Sequence, residues 1–297
     1  MPQEFAIETK GLCKSYGNVE ALKGVDLRVQ VGEIFGFLGP NGSGKTTTIR
    51  CFLDLIRPNG GQLYVLNIDP QKSPVAVRER VGYLPGELHF EENMSVGAAL
   101  RFLNNLRKGK ADWNYITQLA SRLGLDLKIA IKNLSKGNKQ KVGIIQALMH
   151  RPELLLLDEP TSGLDPLIQQ EVLRLIREAR EMGSTVFFSS HILSEVEQIA
   201  DRVAIIRQGK VVEVSPTSEL INRSLHRVRI RFKHPVNSTE IEAVPGVKIL
   251  SSEDGSLTLQ VEGEMDALIK YLAGFPVSSL ETERPSLEEI FLAYYKE

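Results

Sequence analysis

The sequence predicts an α/β protein with an antiparallel β subdomain, a helical insertion and a small C-terminal α+β domain. Three observations carry that prediction. Gly39 to Thr47 reads GPNGSGKTT and joins an apolar run, Ile34 to Leu38, to a second one beginning at Ile49, so a glycine-rich loop links a buried strand to a helix. Leu154 to Leu157 is a continuous leucine run, too apolar for a half-exposed sheet, and it delivers Asp158 and Glu159 at its carboxyl end. Near Ser215 to Arg223 the character changes to short alternating strands. The expected domains are residues 1–222, with the helical insertion at about 90–150, and residues 223–297.

In chain order, apolar and polar positions alternate in two pieces, Phe5 to Leu12 and Val25 to Val31, which predicts antiparallel strands with one wet face. Tyr16 lies beside Gly17 on the turn between them, where a ring could stack on a flat ligand or close a small core. Next comes the loop. Gly39, Gly42, Gly44, Lys45 and Thr46 fit G-x-x-x-x-G-K-[ST], whose glycines let backbone N–H groups curl around phosphate oxygens without a Cβ in the way. Pro40, Asn41 and Ser43 complete the cradle, and the helix after it turns its positive dipole end toward the same anion. Lys45 reaches the β- and γ-phosphates, the Thr46 hydroxyl is placed to ligate Mg²⁺, and Thr47 adds an α-phosphate contact.

Gln62 to Leu66 and Arg80 to Leu84 read as short strands. From about Ser95 to His150 the pattern is helical, with Val96, Leu100, Leu103 and Leu106, then Ile116, Leu119, Ala120 and Leu123, at helical spacing. A last helix of this insertion starts near NLSKGNKQK, where Ser135 and Gly137 offer a hydroxyl and a bare backbone. Asp165 caps a further helix with Pro166 at its first position and Leu167, Val172, Leu175 and Ile176 as its apolar side, running to Gly183. Thr185 to Ser189 is another buried strand, ending two residues before His191, and Val203 to Ile206 with Val211 to Val214 reads as a hairpin. Beyond it come strands at Val228 to Phe232, Leu257 to Val261 and Val277 to Leu280, a helix near Met265 to Leu272, and a terminal helix opened by Pro285, Ser286 and Glu289.

A strand-end aspartate is the partner that a phosphate cradle needs, because Mg²⁺ takes hard oxygen ligands and keeps several waters. Asp158 is that ligand, and Thr46 the second. Glu159, one residue on, is the expected general base toward the attacking water, with Lys45 and His191 as its catalytic companions at the γ-phosphate.

Taken together, GPNGSGKT, LSKGN (Leu134 to Asn138), LLLLDE, SGLD (Ser162 to Asp165) and SSH at His191, with Tyr16 upstream, resemble in order the motifs of the ATP-binding subunits of ABC transporters over roughly residues 4–220. The resemblance implies a P-loop NTPase core and ATP with Mg²⁺ as cofactors. It also implies a tyrosine stacked on adenine. Ser135 and Gly137 would meet the γ-phosphate held by a second copy, in a head-to-tail dimer that closes on two nucleotides, with Asp165 in the loop between the copies. Lys136 and Asn138 depart from the usual LSGGQ, and Gly86 with Glu87 stands where the family places a glutamine. One cassette and a tail ending PSLEEIFLAYY look most like the ATPases of ABC-2-type exporters, which power a separate transmembrane permease.

The rest of the composition sets limits. With 297 residues, 42% hydrophobic and 25% charged, the chain has room for one large domain or two ordinary ones. A formal net charge of −1 gives no overall basic field, and no nucleic-acid partner is expected. Cys13 and Cys51 are too far apart for a metal pair and read as reduced cytosolic thiols. No run approaches the ~20 apolar residues needed to span a bilayer and the N-terminus lacks a signal pattern, so the expected location is the cytoplasmic face of the membrane, through the permease. The alternative is a soluble ABC-type ATPase of translation or DNA repair, whose usual second cassette or long coiled-coil insertion is missing here.

Overall fold

The computed structural model describes residues 4–107, 109, 111–222, 226–234, 241, 243–253, 256–261 and 265–283. The chain falls into two compact units, Met1–Val214 and Ser215–Glu297.

The first unit is built on a six-stranded sheet of order β5-β6-β7-β3-β8-β9, comprising β5 (Val81–Leu84), β6 (Leu154–Asp158), β7 (Thr185–Ser190), β3 (Ile34–Leu38), β8 (Arg202–Arg207) and β9 (Lys210–Pro216). The pairs β5/β6, β6/β7, β3/β7 and β3/β8 are parallel. β3, β6 and β7 are buried at every position, which explains their unbroken apolar runs: a parallel strand covered on both faces has no wet side to alternate with. At the centre the Phe187 ring lies 5.8 Å from Phe35, 5.2 Å from Phe37 and 5.3 Å from Phe52 on α1 (Lys45–Phe52). β8 turns into β9 through Gln208 (φ 47°) and Gly209 (φ 80°), both left-handed, as a two-residue hairpin turn requires.

A three-stranded antiparallel sheet, β2-β1-β4, consists of β1 (Phe5–Tyr16), β2 (Val19–Gln30) and β4 (Gly60–Val65). Its Ile7, Leu12, Leu27 and Val65 share one apolar core with Phe35, Phe52 and Phe187. β1 and β2 are each longer than the sequence pattern predicts, because register shifts at Thr9/Leu12, Leu12/Cys13 and Lys14/Ser15 break the alternation. The Gly11 amide in the bulged stretch is held by Asp26 Oδ1 at 2.6 Å. An unanticipated short helix, α2 (Pro74–Arg80), precedes β5; only Val77 among its residues is buried, so it carries almost no periodic signal.

The insertion holds α3 (Val96–Leu106), α4 (Trp113–Arg122) and α5 (Lys136–Leu148). Ile116, Leu119, Ala120 and Leu123 are buried as expected, whereas the α3 stripe fades outward, from buried Val96 and Leu100 to exposed Leu106. α6 (Pro166–Glu181) buries Val172, Leu175 and Ile176. Leu167 does not belong to that face: it is 79% exposed, and at 3.6 residues per turn its position points well away from the side shared by Val172, Leu175 and Ile176. α7 (Leu193–Ile199) follows β7 and fills the space beside Gly36, where Val196 Cγ1 would come within 2.8 Å of any Cβ.

The second unit contains α8 (Thr217–Asn222) and a four-stranded antiparallel sheet of order β11-β12-β10-β13, built from β10 (His226–Phe232), β11 (Val247–Glu253), β12 (Ser256–Val261) and β13 (Val277–Glu283), with α9 (Asp266–Leu272). Val228, Ile230, Leu257, Leu259 and Leu268 form its core. β11 is missing from the sequence reading because a register shift between Ile249 and Ser251 leaves Leu250 exposed beside a buried-side neighbour, which hides the period of two. The expected terminal helix at Pro285, Ser286 and Glu289 lies outside the described residues.

Candidate active site

The cradle starts where β3 leaves the sheet. A Cβ at Gly39 would lie 2.5 Å from the Ile206 carbonyl oxygen and 2.6 Å from Ser43 Oγ, so only glycine lets the chain turn there. Gly44 has φ 113°, and a Cβ on it would meet the Ala21 carbonyl oxygen at 2.8 Å. The loop is therefore wedged between β8 and β2. Its curl is held by the Ser43 amide donating to Pro40 O (3.2 Å) and the Gly209 amide donating to Ser43 O (2.9 Å). Asn41 and Gly42 are exposed, Pro40 is half-buried, and Thr46 and Thr47 are half-buried on the first turn of α1.

Lys45 is 5% exposed, and its ammonium donates to Gly39 O (2.6 Å) and Pro40 O (3.1 Å). It also stands 3.5 Å from Glu159 Oε1. Burial lowers its pKa, and the nearby carboxylates of Glu159 and Asp158 oppose that shift. His191 Nδ1 lies 3.3 Å from the same Glu159 oxygen. Glu159 thus faces both Lys45 and His191 from the end of β6.

Asp158 is 1% exposed; Ser189 Oγ donates to its Oδ1 at 2.6 Å, while Oδ2 is buried with no hydrogen-bond partner. An orphan buried carboxylate oxygen is costly unless something binds it. A hard carboxylate oxygen of this kind fits Mg²⁺, which takes one or two protein oxygens and fills its octahedron with water and phosphate; the Thr46 hydroxyl, half-buried at the start of α1, is the second oxygen expected from the sequence. Among the described residues no cluster of three or more His, Cys, Asp or Glu could hold a metal ion. Gly86 lies at this point too, since a Cβ there would be 3.1 Å from Asp158 Oδ2.

Other predicted residues stand apart from this cluster. Tyr16 is 48% exposed at the tip of the β1–β2 hairpin, paired with Val19 and with Lys14 Nζ 5.2 Å from its ring centre. Ser135 is the exposed N-cap of α5, accepting from the Asn138 amide at 3.2 Å, and Gly137 packs against the Gly163 carbonyl, 2.7 Å from where a Cβ would be. Asp165 is an exposed N-cap on α6, accepting from the Ile168 amide at 3.1 Å.

Several residues that shape the site escaped the sequence reading. Ser189 holds both Asp158 and the Glu159 amide (3.0 Å). Gln140 donates to the carbonyls of Glu159 (3.0 Å) and Pro160 (3.2 Å). Glu195, 6% exposed, accepts from Thr161 Oγ1 and from Ser190 Oγ (2.7 Å), which ties the turn after Glu159 to the residue before His191. Neither Gln140 nor Glu195 left a local signal, since Gln140 stands between Lys139 and Lys141 and Glu195 between Ser194 and Val196.

Residues 22–162 match the family model described as ABC transporter, and residues 217–295 match that of the ATP-binding protein DrrA1-3-like, C-terminal domain. The bacitracin transport ATP-binding protein BcrA of Bacillus licheniformis is 41% identical over 73% of this chain and 72% of its own length. The chain belongs to the ABC transporter ATP-binding proteins. The daunorubicin/doxorubicin resistance ATP-binding protein DrrA of Streptomyces peucetius is 33% identical over 97% of this chain and 92% of its own length. Among solved structures, an ATP-binding subunit of an ABC transporter superposes with a TM-score of 0.67 at 28% identity, over 72% of this chain and 91% of that one. A dimeric bacterial ABC transporter cassette at 23% identity and a TM-score of 0.63, covering 71% of this chain and 98% of that one, shares the fold.

The loop of this ABC ATP-binding protein is held at Gly39 and Gly44 by close backbone contacts. Gly44→Ala forces a side chain into φ 113° against Ala21 O. If the free loop relaxes to escape a left-handed strain of about 1–2 kcal/mol, binding must restore it, and the Kd for ATP is expected to rise by up to roughly tenfold in equilibrium titration. Unchanged affinity would show that the loop tolerates a different path.

Proposed function

We propose that the chain binds ATP with Mg²⁺, hydrolyses it as one half of a head-to-tail dimer, and drives a separate membrane-spanning subunit that exports its cargo. The single observation carrying this reading is the convergence on Glu159 Oε1 of Lys45 Nζ at 3.5 Å and His191 Nδ1 at 3.3 Å. A base, a phosphate-binding cation and a second hydrogen-bonding group meet at one point beside the cradle.

Roles follow from chemistry. The loop amides and the α1 dipole hold the phosphates, and Lys45 moves its ammonium from the loop carbonyls to the β- and γ-oxygens. Thr46 and Asp158 hold Mg²⁺, which neutralises charge on the β- and γ-phosphates when bound. Glu159 accepts a proton from the attacking water, and His191 orients the γ-phosphate. Glu159 is half-buried, so water reaches it while its carboxylate stays in a fixed setting.

Ser135 is exposed at the start of α5 and Gly137 is half-buried in its first turn, and we take this end of the helix to meet a nucleotide on a second copy. The export reading draws on the bacitracin and daunorubicin/doxorubicin relatives, whose names place them in transport or drug resistance. Among the described residues no helix is long and apolar enough to cross a membrane, so the membrane path belongs to a partner. Residues 223–297 serve as an accessory domain, because every site residue lies before them.

Tyr16 stacks on adenine, a contact worth on the order of 1–3 kcal/mol if stacking of bases on aromatics is a guide. Tyr16→Ala is then expected to weaken ATP binding far more than Tyr16→Phe; equal losses would assign the effect to the hydroxyl. Glu159→Gln is expected to cut turnover by ~10²–10⁴-fold. It leaves ATP affinity near parental and runs as a dimer with ATP and Mg²⁺ on a sizing column, whereas Lys45→Ala stays monomeric. Parental hydrolysis by Glu159→Gln would remove Glu159 from the role of base.

A further inference from the structure

Glu159 is held in a conformation that few glutamates adopt. Its φ is 51°, in the left-handed region, where a Cβ crowds the carbonyl that follows. The peptide is clamped on both sides. Its amide donates to the Ser189 carbonyl (3.2 Å) and to Ser189 Oγ (3.0 Å). On the carbonyl side, Gln140 Nε2 donates to Glu159 O at 3.0 Å and to Pro160 O at 3.2 Å. Both hydrogens of one side-chain amide are therefore committed to the backbone of the acid and of its successor.

Gln140 is 6% exposed, and the neighbouring buried positions of α5 are Val142, Gly143, Ile144 and Ile145. A polar amide on that face is placed for these carbonyls, since an unpaired one would be expensive to bury. The same helix grips the loop a second time, where Gly137 abuts Gly163 O. Gln140 lies five residues after Ser135, about one and a half helical turns. One short rigid element thus joins the Ser135 and Gly137 turn to the backbone of Glu159.

We infer that Gln140 is a positioning residue for Glu159, through which the N-terminal turn of α5 sets the carboxylate against Lys45 and His191. The inference rests on the reading of Glu159 as base. A nucleotide held by a second copy touches the start of α5; the helix moves as a unit; Gln140 carries that movement to the carbonyls of residues 159 and 160. Occupation of the Ser135 end and readiness of the base are then one event.

Phosphate release by the full chain with ATP and Mg²⁺ tests this in Gln140→Met, which keeps the length and removes both donors, and in Gln140→Glu, which turns an acceptor toward two carbonyls. Both are expected to lose about tenfold or more in kcat, with KM for ATP and its equilibrium Kd within about twofold of parental. In a Glu159→Gln background the same changes are expected to alter residual turnover less than about twofold, because the group they position is already gone. A residue that merely stabilises the fold lowers turnover equally in both backgrounds, and that result, or parental kcat in both variants, overturns the proposal. If one variant does not fold by circular dichroism, the other carries the comparison. Should both unfold, Gln140 is a packing residue and the proposal falls. A parental chain without turnover, or a Glu159→Gln chain with full turnover, would instead defeat the reading of the base.

Discussion

The parallel register of β6, β7 and β3 is the constraint on which the site depends. Ser189 pairs with Asp158 on one side and with Phe37 on the other, and Leu38 pairs with Ser190. Three strands consequently end in one row, and the loops leaving them carry the phosphate cradle, the acid pair and His191 to the same edge of the sheet. Ligand crevices of open α/β sheets form at such carboxyl ends. The aromatic packing of Phe187 against Phe35, Phe37 and Phe52 keeps that row from slipping, because a shift in β7 would pull its ring out of all three contacts. Slippage by one residue would also turn Ser189 away from Asp158.

Around this frame three buried charges each have a definite setting. Lys45 is almost wholly buried and is held by two carbonyls and faced by Glu159. Asp158 is buried with one oxygen satisfied by Ser189 and the other buried without a hydrogen-bond partner beside Gly86. The carboxylate of Glu195 is spent on Thr161 and Ser190, so it stiffens the turns that carry Glu159 and His191. Polar groups fully satisfied in a low-dielectric setting hold geometry, whereas the Asp158 oxygen left without a partner beside the acid pair and Lys45 is a place for a ligand.

Much of this was legible in the residues. The cradle, the leucine strand with its acid pair and the helix capped by Asp165 could be read because each couples a strong periodicity to residues with special backbone or charge requirements. Leu167 was grouped with the buried side on its apolar character alone, whereas helical spacing turns it away from Val172, Leu175 and Ile176. β11 and the outer halves of β1 and β2 were hidden by register shifts, which invert the alternation that strands are recognised by. Gln140 and Glu195 were illegible for another reason. Their partners are a backbone carbonyl or a hydroxyl contributed from elsewhere in the fold, and no local pattern records such a contact.

The central claim is that the loop, Thr46 and Asp158 enclose one metal together with the terminal phosphates of one nucleotide. Electron paramagnetic resonance with Mn²⁺ in place of Mg²⁺ tests it most directly, since the bound and free ions have distinct spectra and ³¹P couplings report phosphate ligation. Mn²⁺ is expected to bind the full chain tightly only when ATP is present, to show phosphorus coupling, and to be lost in Asp158→Asn while ATP itself remains bound. Mn²⁺ held equally well by Asp158→Asn, or bound without nucleotide, would contradict it.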